Sequence, residues 1–299
     1  MAGLARHLLQ QGPVVAALGR SALMALAQQV DQSRQTATPM TPGAVITQTV
    51  APRPAGLVND LVRWSGGETR AYRGTVPPYL FPQWGFPLQS RTLDGISYPL
   101  ARILNAGCRM TVNGQIPANE PLELSAQLTG VDDDGRRAIL HQRLVTGTAS
   151  APEALTCDFQ ALVPLSRGDG KKKKERARVP RDVKELAFWR LGPRAGLEFA
   201  LLTGDFNPVH WVGPYARAAG FRSTILHGFA TMARTIEGLN RTLWAGDVER
   251  LKVLDVRFVR PLILPAKVGL YVDGQGGVWV GDAPGGPAYM QGSYALTTE

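Results

Sequence analysis

The feature that most constrains this chain is a change of period in its second half. Ile225, Phe229, Met232, Ile236, Leu239 and Leu243 recur at intervals of three or four, which puts a continuous apolar stripe on one helix. Four runs rich in Val, Leu and Tyr follow, at residues 251–258, 263–272, 278–280 and 289–296, divided by Pro261, Pro265 and two glycine clusters. A one-sided helix ahead of a strand meander buries its stripe only on the sheet the strands make. The segment is therefore predicted to be α+β, a helix packed on an antiparallel sheet.

The first half is predicted to repeat this order, though hardly the sequence. Residues 98–112 are expected to be helical, with Leu100, Ile103, Leu104, Gly107 and Met110 on one side. Residues 122–129 and 139–147 flank the turn Asp132-Asp133-Asp134-Gly135 as a hairpin, and 157–165 form a third strand. A length of 299 residues accommodates two cores of roughly 120 to 150 residues each. The division expected is an N-terminal extension over residues 1–50, a first unit over 51–165, a linker over 166–184 and a second unit over 185–299.

Charge marks the linker. Eight basic and two acidic residues fall between Arg167 and Arg181, so this stretch alone carries +6 of the formal +9. Its Lys171–Lys174 run is flanked by Ser166, Gly168 and Gly170 and lacks interleaved aromatics for base stacking, so a solvated linker is expected and nucleic acid is not a partner. Cys108 and Cys157 are the only cysteines, with no CxxC, which fits a reducing, cytoplasmic setting. No run approaches the ~18 uninterrupted apolar residues of a membrane span. Near the N-terminus, Val14 to Leu18 and Ala22 to Ala27 are apolar but interrupted by Arg20, and an amphipathic leading helix is expected ahead of a secretion signal.

The segment that carries chemistry is Gly204-Asp205-Phe206-Asn207-Pro208-Val209-His210. A helical run ending at Thr203 is stopped by Gly204, and Asn207-Pro208 forces a turn, so Asp205 and His210 are thrown onto a loop. Two readings stay open on the residues alone. The carboxylate and imidazole share a water for acid–base work, or Asp205 and Asn207 bond local backbone beside a structural histidine. A metal site is not expected: four histidines occur, without His-x-His or His-Glu-x-x-His spacing.

Phe199 to Ala216 resembles the hydratase signature of the MaoC-like dehydratase family, the (R)-specific enoyl-CoA hydratases. An aromatic residue, a small hydroxyl residue, Gly-Asp-x-Asn-Pro, an aliphatic residue, His and a later Ala all stand in order. Ala218-Ala219-Gly220-Phe221 and Ile225-Leu226-His227-Gly228 are similar to the continuation of that family. Many members carry an acidic or amide residue two after the histidine, where this chain has Val212.

The resemblance implies a double hotdog, two units each with an antiparallel sheet wrapped around a central helix, the first unit degenerate and the second catalytic. It implies reversible hydration of a trans-2-enoyl thioester to the (3R)-3-hydroxyacyl thioester, without metal or redox cofactor. Asp205 and His210 would hold the water, with the choice of base left open, and Asn207 would support the loop. Gly228, at the start of the second-unit helix, would donate its N–H to the thioester oxyanion, or serve only close helix–sheet packing. His227 would be a minor substrate-binding residue. The partner implied is an acyl-CoA or acyl-carrier-protein thioester, and a chain with two fused units suits a monomer or a homodimer. The competing readings are a dehydratase for carrier-protein substrates, a hotdog thioesterase and a non-catalytic acyl-binding protein.

Overall fold

The computed structural model describes residues 2–30, 39–99, 103–165 and 176–297. The chain opens on a short helix α1 (Ala2–Ala5) and a long one, α2 (Gly12–Val30). The first unit then runs β1 (Ile46–Val50), α3 (Ala55–Ser65), β2 (Thr75–Val76), α4 (Phe81–Arg91), β3 (Leu104–Val112), β4 (Ile116–Pro117), β5 (Leu122–Asp133), β6 (Arg137–Gly147) and β7 (Leu155–Pro164). The second runs β8 (Lys184–Leu191), α5 (Ala195–Thr203), α6 (Gly213–Ala218), α7 (Gly228–Leu243), β9 (Leu251–Phe258), β10 (Ala266–Val272), β11 (Gly277–Gly281) and β12 (Ala288–Leu296).

Ten strands form one sheet in the order β1-β5-β6-β7-β3-β9-β12-β11-β10-β8. Its midpoint is the antiparallel seam between β3 and β9, where Cys108 faces Val256 and Met110 faces Leu254. Each unit contributes five adjacent strands and one central helix, α4 or α7. This is the double-hotdog architecture.

The two units share one core. Phe229 of α7 meets Phe81 edge-on at 5.0 Å, Phe159 at 5.9 Å and Phe258 at 6.1 Å, so aromatic side chains from both units converge under the seam. Glu237 of α7, 2% exposed, accepts hydrogen bonds from the hydroxyls of Tyr72 and Tyr79, each at 2.6 Å, and so ties the second helix to the first unit.

The sequence placed the first-unit helix wrongly. Residues 104–112 are a strand, in which Cys108, Met110 and Val112 alternate inward while Arg109 points out to Asp255; residues 100–102 of the expected helix lie outside the described residues. The helix is α4, which carries Pro82, Gly85 and Pro87 and buries Phe81, Trp84 and Leu88. Gly85 lets α4 lie close to β6, since a Cβ there would displace the end of the Leu144 side chain. The expected basic linker falls mostly on residues 166–175, outside the described residues.

Described parts of the first fifty residues pack on the rest. β1 pairs with β5 along its whole length, and Val14 and Ala17 of α2 are buried. His7, 2% exposed, lies 2.8 Å from the Asp60 carboxylate, which also accepts from Arg6. The second-unit stripe also needs trimming. Ile225 precedes the helix, Leu243 is 37% exposed, and Met232, Ile236 and Leu239 form the buried face.

Candidate active site

The loop that carries Asp205 and His210 is fixed at both ends. α5 stops at Gly204, whose φ of +82° favours glycine, and its N–H closes on the Ala200 carbonyl at 2.7 Å. The chain then turns on itself. Asp205 Oδ1 accepts from the Asn207 N–H at 3.3 Å, and Asn207 Oδ1 accepts from the Val209 N–H at 3.3 Å, capping a single 3₁₀ turn over Pro208–His210. The local backbone contacts of the simpler reading are therefore present. They occupy Asn207 and one oxygen of Asp205, and leave Oδ2 directed inward, 3.7 Å from His227 Nε2.

His210 is oriented from outside its own loop. Its Nδ1 lies 2.9 Å from the Ile225 carbonyl, an acceptor only, so Nδ1 carries the hydrogen and Nε2 the lone pair. The His210 backbone carbonyl rests against Gly196 of α5, where any Cβ would collide with it. Across the loop, the Trp211 indole N–H donates to the Phe206 carbonyl at 3.0 Å, and the Val212 N–H reaches the Pro208 carbonyl at 2.8 Å.

His227 is the N-cap residue of α7 and is 2% exposed. Its Nε2 donates to the Asp205 backbone carbonyl at 3.0 Å, and its ring stacks on that of His210, centroids 3.5 Å apart and planes 23° from parallel. Phe199 closes the other side at 5.0 Å. Buried on all sides, Nδ1 has no hydrogen-bond partner among the described residues. The substrate-binding role expected of His227 is thereby a poor fit, because both ring nitrogens are turned into protein.

Burial depresses both imidazoles. His210 is held below the ordinary histidine range by desolvation, partly offset by the Asp205 charge and the Ile225 carbonyl. His227 is pushed down to about 3, by burial first and by His210 second. Both rings are neutral at pH 7. Polar atoms of Asp205, His210 and His227 lie within 4.8 Å of one another, a spacing a small cation could span. The stacked rings oppose that use, since lone pairs in near-parallel planes do not converge on one point.

Gly228 is the first residue of α7, where backbone N–H groups lack helical partners. A Cβ here would come within 2.8 Å of the Phe258 ring, so packing alone suffices to require glycine. Arg217 and Arg222 are exposed nearby, whereas Arg234 is mostly buried with its guanidinium 4.3 Å over Trp64.

Residues 170–281 match the family described as MaoC like domain. The second half of this chain is similar to a MaoC-like domain over those residues. Enoyl-CoA hydratase ChsH3 of Mycobacterium tuberculosis is 28% identical over 171 residues, 55% of this chain and 58% of that protein. The 3-hydroxyacyl-thioester dehydratase X of the same organism is 33% identical over 109 residues, 36% of this chain and 37% of that protein. The chain thus matches between 37% and 58% of the length of these two relatives. The crystal structure of HtdX from M. tuberculosis superposes with a TM-score of 0.69 at 19% identity, covering 85% of this chain and 100% of that one.

Three contributors to the MaoC-like site were not legible in its signature. Gly196 sits outside it, although a glycine inside an apolar helical run signals close backbone approach. The others come from the far end of the chain: the Gln11 side chain donates to the Leu201 carbonyl at 3.1 Å, and Val14 lies against Gly204, where a Cβ would sit 2.6 Å from its own. No sequence signal connects these residues to the loop.

Proposed function

We propose that this protein reversibly hydrates trans-2-enoyl thioesters to (3R)-3-hydroxyacyl thioesters, with Asp205 and His210 as the acid–base pair. The observation that carries the reading is the setting of His210: Nδ1–H is committed to Ile225, which leaves Nε2 unprotonated, and the ring lies beside Asp205, polar atoms of the two side chains being within 4.8 Å of each other. A neutral imidazole with a free lone pair is the base such a reaction needs at pH 7.

In the hydration direction one water lies between the two side chains. His210 Nε2 accepts a proton from the water as its oxygen bonds to C3, the imidazolium so formed passes that proton to C2, and the sum is one water consumed. Asp205 orients the water, and Asn207 holds the loop. The thioester oxygen gains negative charge, for which the N–H of Gly228 and the dipole of α7 are the donors proposed. The acyl group is carried on CoA or an acyl carrier protein. Two buried, free cysteines suit the reducing cytoplasm, and among the described residues no helix is long and apolar enough to cross a membrane.

The test follows the ultraviolet absorbance of the enoyl thioester with crotonyl-CoA and a medium-chain enoyl-CoA, beside a free-thiol assay. Loss of the enoyl band without thiol release is expected. Thiol release would replace the hydratase reading by a thioesterase, and silence on CoA and carrier-protein substrates alike would leave an acyl-binding protein.

A further inference from the structure

We propose that His227 is a positioning residue: its ring is a fixed floor on which the His210 imidazole is held with Nε2 free, and its Nε2–H ties that floor to the backbone of Asp205. The proposal rests on the reading that His210 performs the acid–base step.

Among the described residues the His210 ring makes one hydrogen bond, to Ile225, and a ring held at a single point can still rock about it. The face-to-face contact at 3.5 Å removes that freedom. The floor itself does not move, because Phe199 backs His227 at 5.0 Å and is in turn backed by Trp64 at 5.3 Å. The bond to the Asp205 carbonyl sets Asp205 and His210 in one frame, so the two groups that share the water are referenced to a common residue.

Histidine is not what packing alone would select at this position. Nδ1 is a buried acceptor without a donor, an arrangement that phenylalanine would avoid while filling the same space. What histidine adds is the Nε2–H. It also has to be uncharged, because a cation stacked on His210 would oppose the proton His210 takes up. The titratable groups that act on the pair are Asp205, on the loop, and the two imidazoles themselves; α5 presents only Gly196 and Phe199 to them.

Four histidines make the test tractable by imidazole NMR on the intact chain. In the wild-type protein His227 should hold its proton on Nε2 and stay neutral from pH 8 to about 5, while His210 titrates below 6.5. His227→Phe keeps a ring and loses the tie; His227→Gln keeps a donor and loses the floor. Both are expected to fold, to lose kcat by roughly 10²-fold, the scale of a misplaced catalytic group, and to keep KM within a small factor. In His227→Gln, water reaching His210 should raise its titration midpoint, a change that general loss of stability would not produce. Unchanged kcat in both folded variants, or a loss confined to KM, overturns the proposal. So does a wild-type His227 that titrates near 6.5 or carries its proton on Nδ1, an outcome that needs no variant to fold. If the wild type hydrates nothing, the functional reading fails separately, and the NMR titrations still decide whether His227 fixes His210.

Discussion

The backbone carbonyl of His210 lies directly on the Cα of Gly196, so the helix before the loop and the end of the loop touch where a side chain would stand. Gly196→Ala should push the two apart. The expected result is a loss of about 1 to 3 kcal/mol in stability from overpacking, together with a fall in turnover larger than that of a comparable destabilising change elsewhere. Paired urea melts and enoyl-thioester assays measure both, and full turnover in a folded Gly196→Ala protein would show that the contact does not set the position of His210.

Asp205→Asn and His210→Ala should each reduce kcat by about 10²- to 10⁴-fold without unfolding the protein, the usual contribution of a positioned acid–base group. Circular dichroism establishes the fold, and the enoyl absorbance reads the rate. Activity within threefold of wild type in either variant would remove that residue from the mechanism.

The low pKa of His227 makes stability depend on pH. Folded, the group stays neutral down to about 3; unfolded, it accepts a proton near 6.5. Between these values the unfolded chain binds a proton that the folded chain does not, so the contribution is complete above about 6.5 and is lost progressively as pH falls toward 3. The slope from this group is about 1.4 kcal/mol per pH unit at most. His210, also depressed, adds in the same direction below 6.5. Urea midpoints between pH 7 and 5 should fall in the wild type and fall less steeply in His227→Phe. Parallel slopes would mean that His227 takes up its proton as readily in the folded protein as in the unfolded one.

Val14 is 1% exposed and packs against Gly204, one residue before Asp205. Val14→Asp buries an unpaired carboxylate there and should detach the N-terminal helix from α5. Turnover is expected to drop along with the melting temperature. A variant that loses stability at full specific activity would show that the helix supports the fold without setting the loop.

Much of the second unit was legible in its sequence because each element there obeys its own period. Met232, Ile236 and Leu239 mark the buried face of α7, and the runs behind it became β9 to β12 within a few residues. The loop was legible for a different reason: Gly204 and Asn207-Pro208 punctuate the chain chemically, and the turn they predict is the one observed. The first unit was misread where local preference and tertiary context disagree. α4 contains two prolines and a glycine, every one a penalty for a helix, and it exists because Phe81, Trp84 and Leu88 are buried beneath the sheet. β3 carries an accidental three-and-four spacing, but its position between β7 and β9 demands alternation. His227 illustrates the limit at the site. Its neighbour Gly228 drew attention as a helix start, yet nothing local told that its ring would stack on His210, 17 positions earlier in the chain.

The bond from Gln11 to Leu201 joins residues 190 positions apart. During synthesis at about 5 to 20 residues per second, Leu201 follows Gln11 by roughly 10 to 40 s. Leu8, Leu9, Val15 and Leu23 are exposed even in the finished protein, while α2 packs chiefly on α4, and Val14 meets Gly204 just beyond α5. The contact between Gln11 and α5 is therefore one that only a nearly finished chain can close, so the catalytic loop gains this support late in folding.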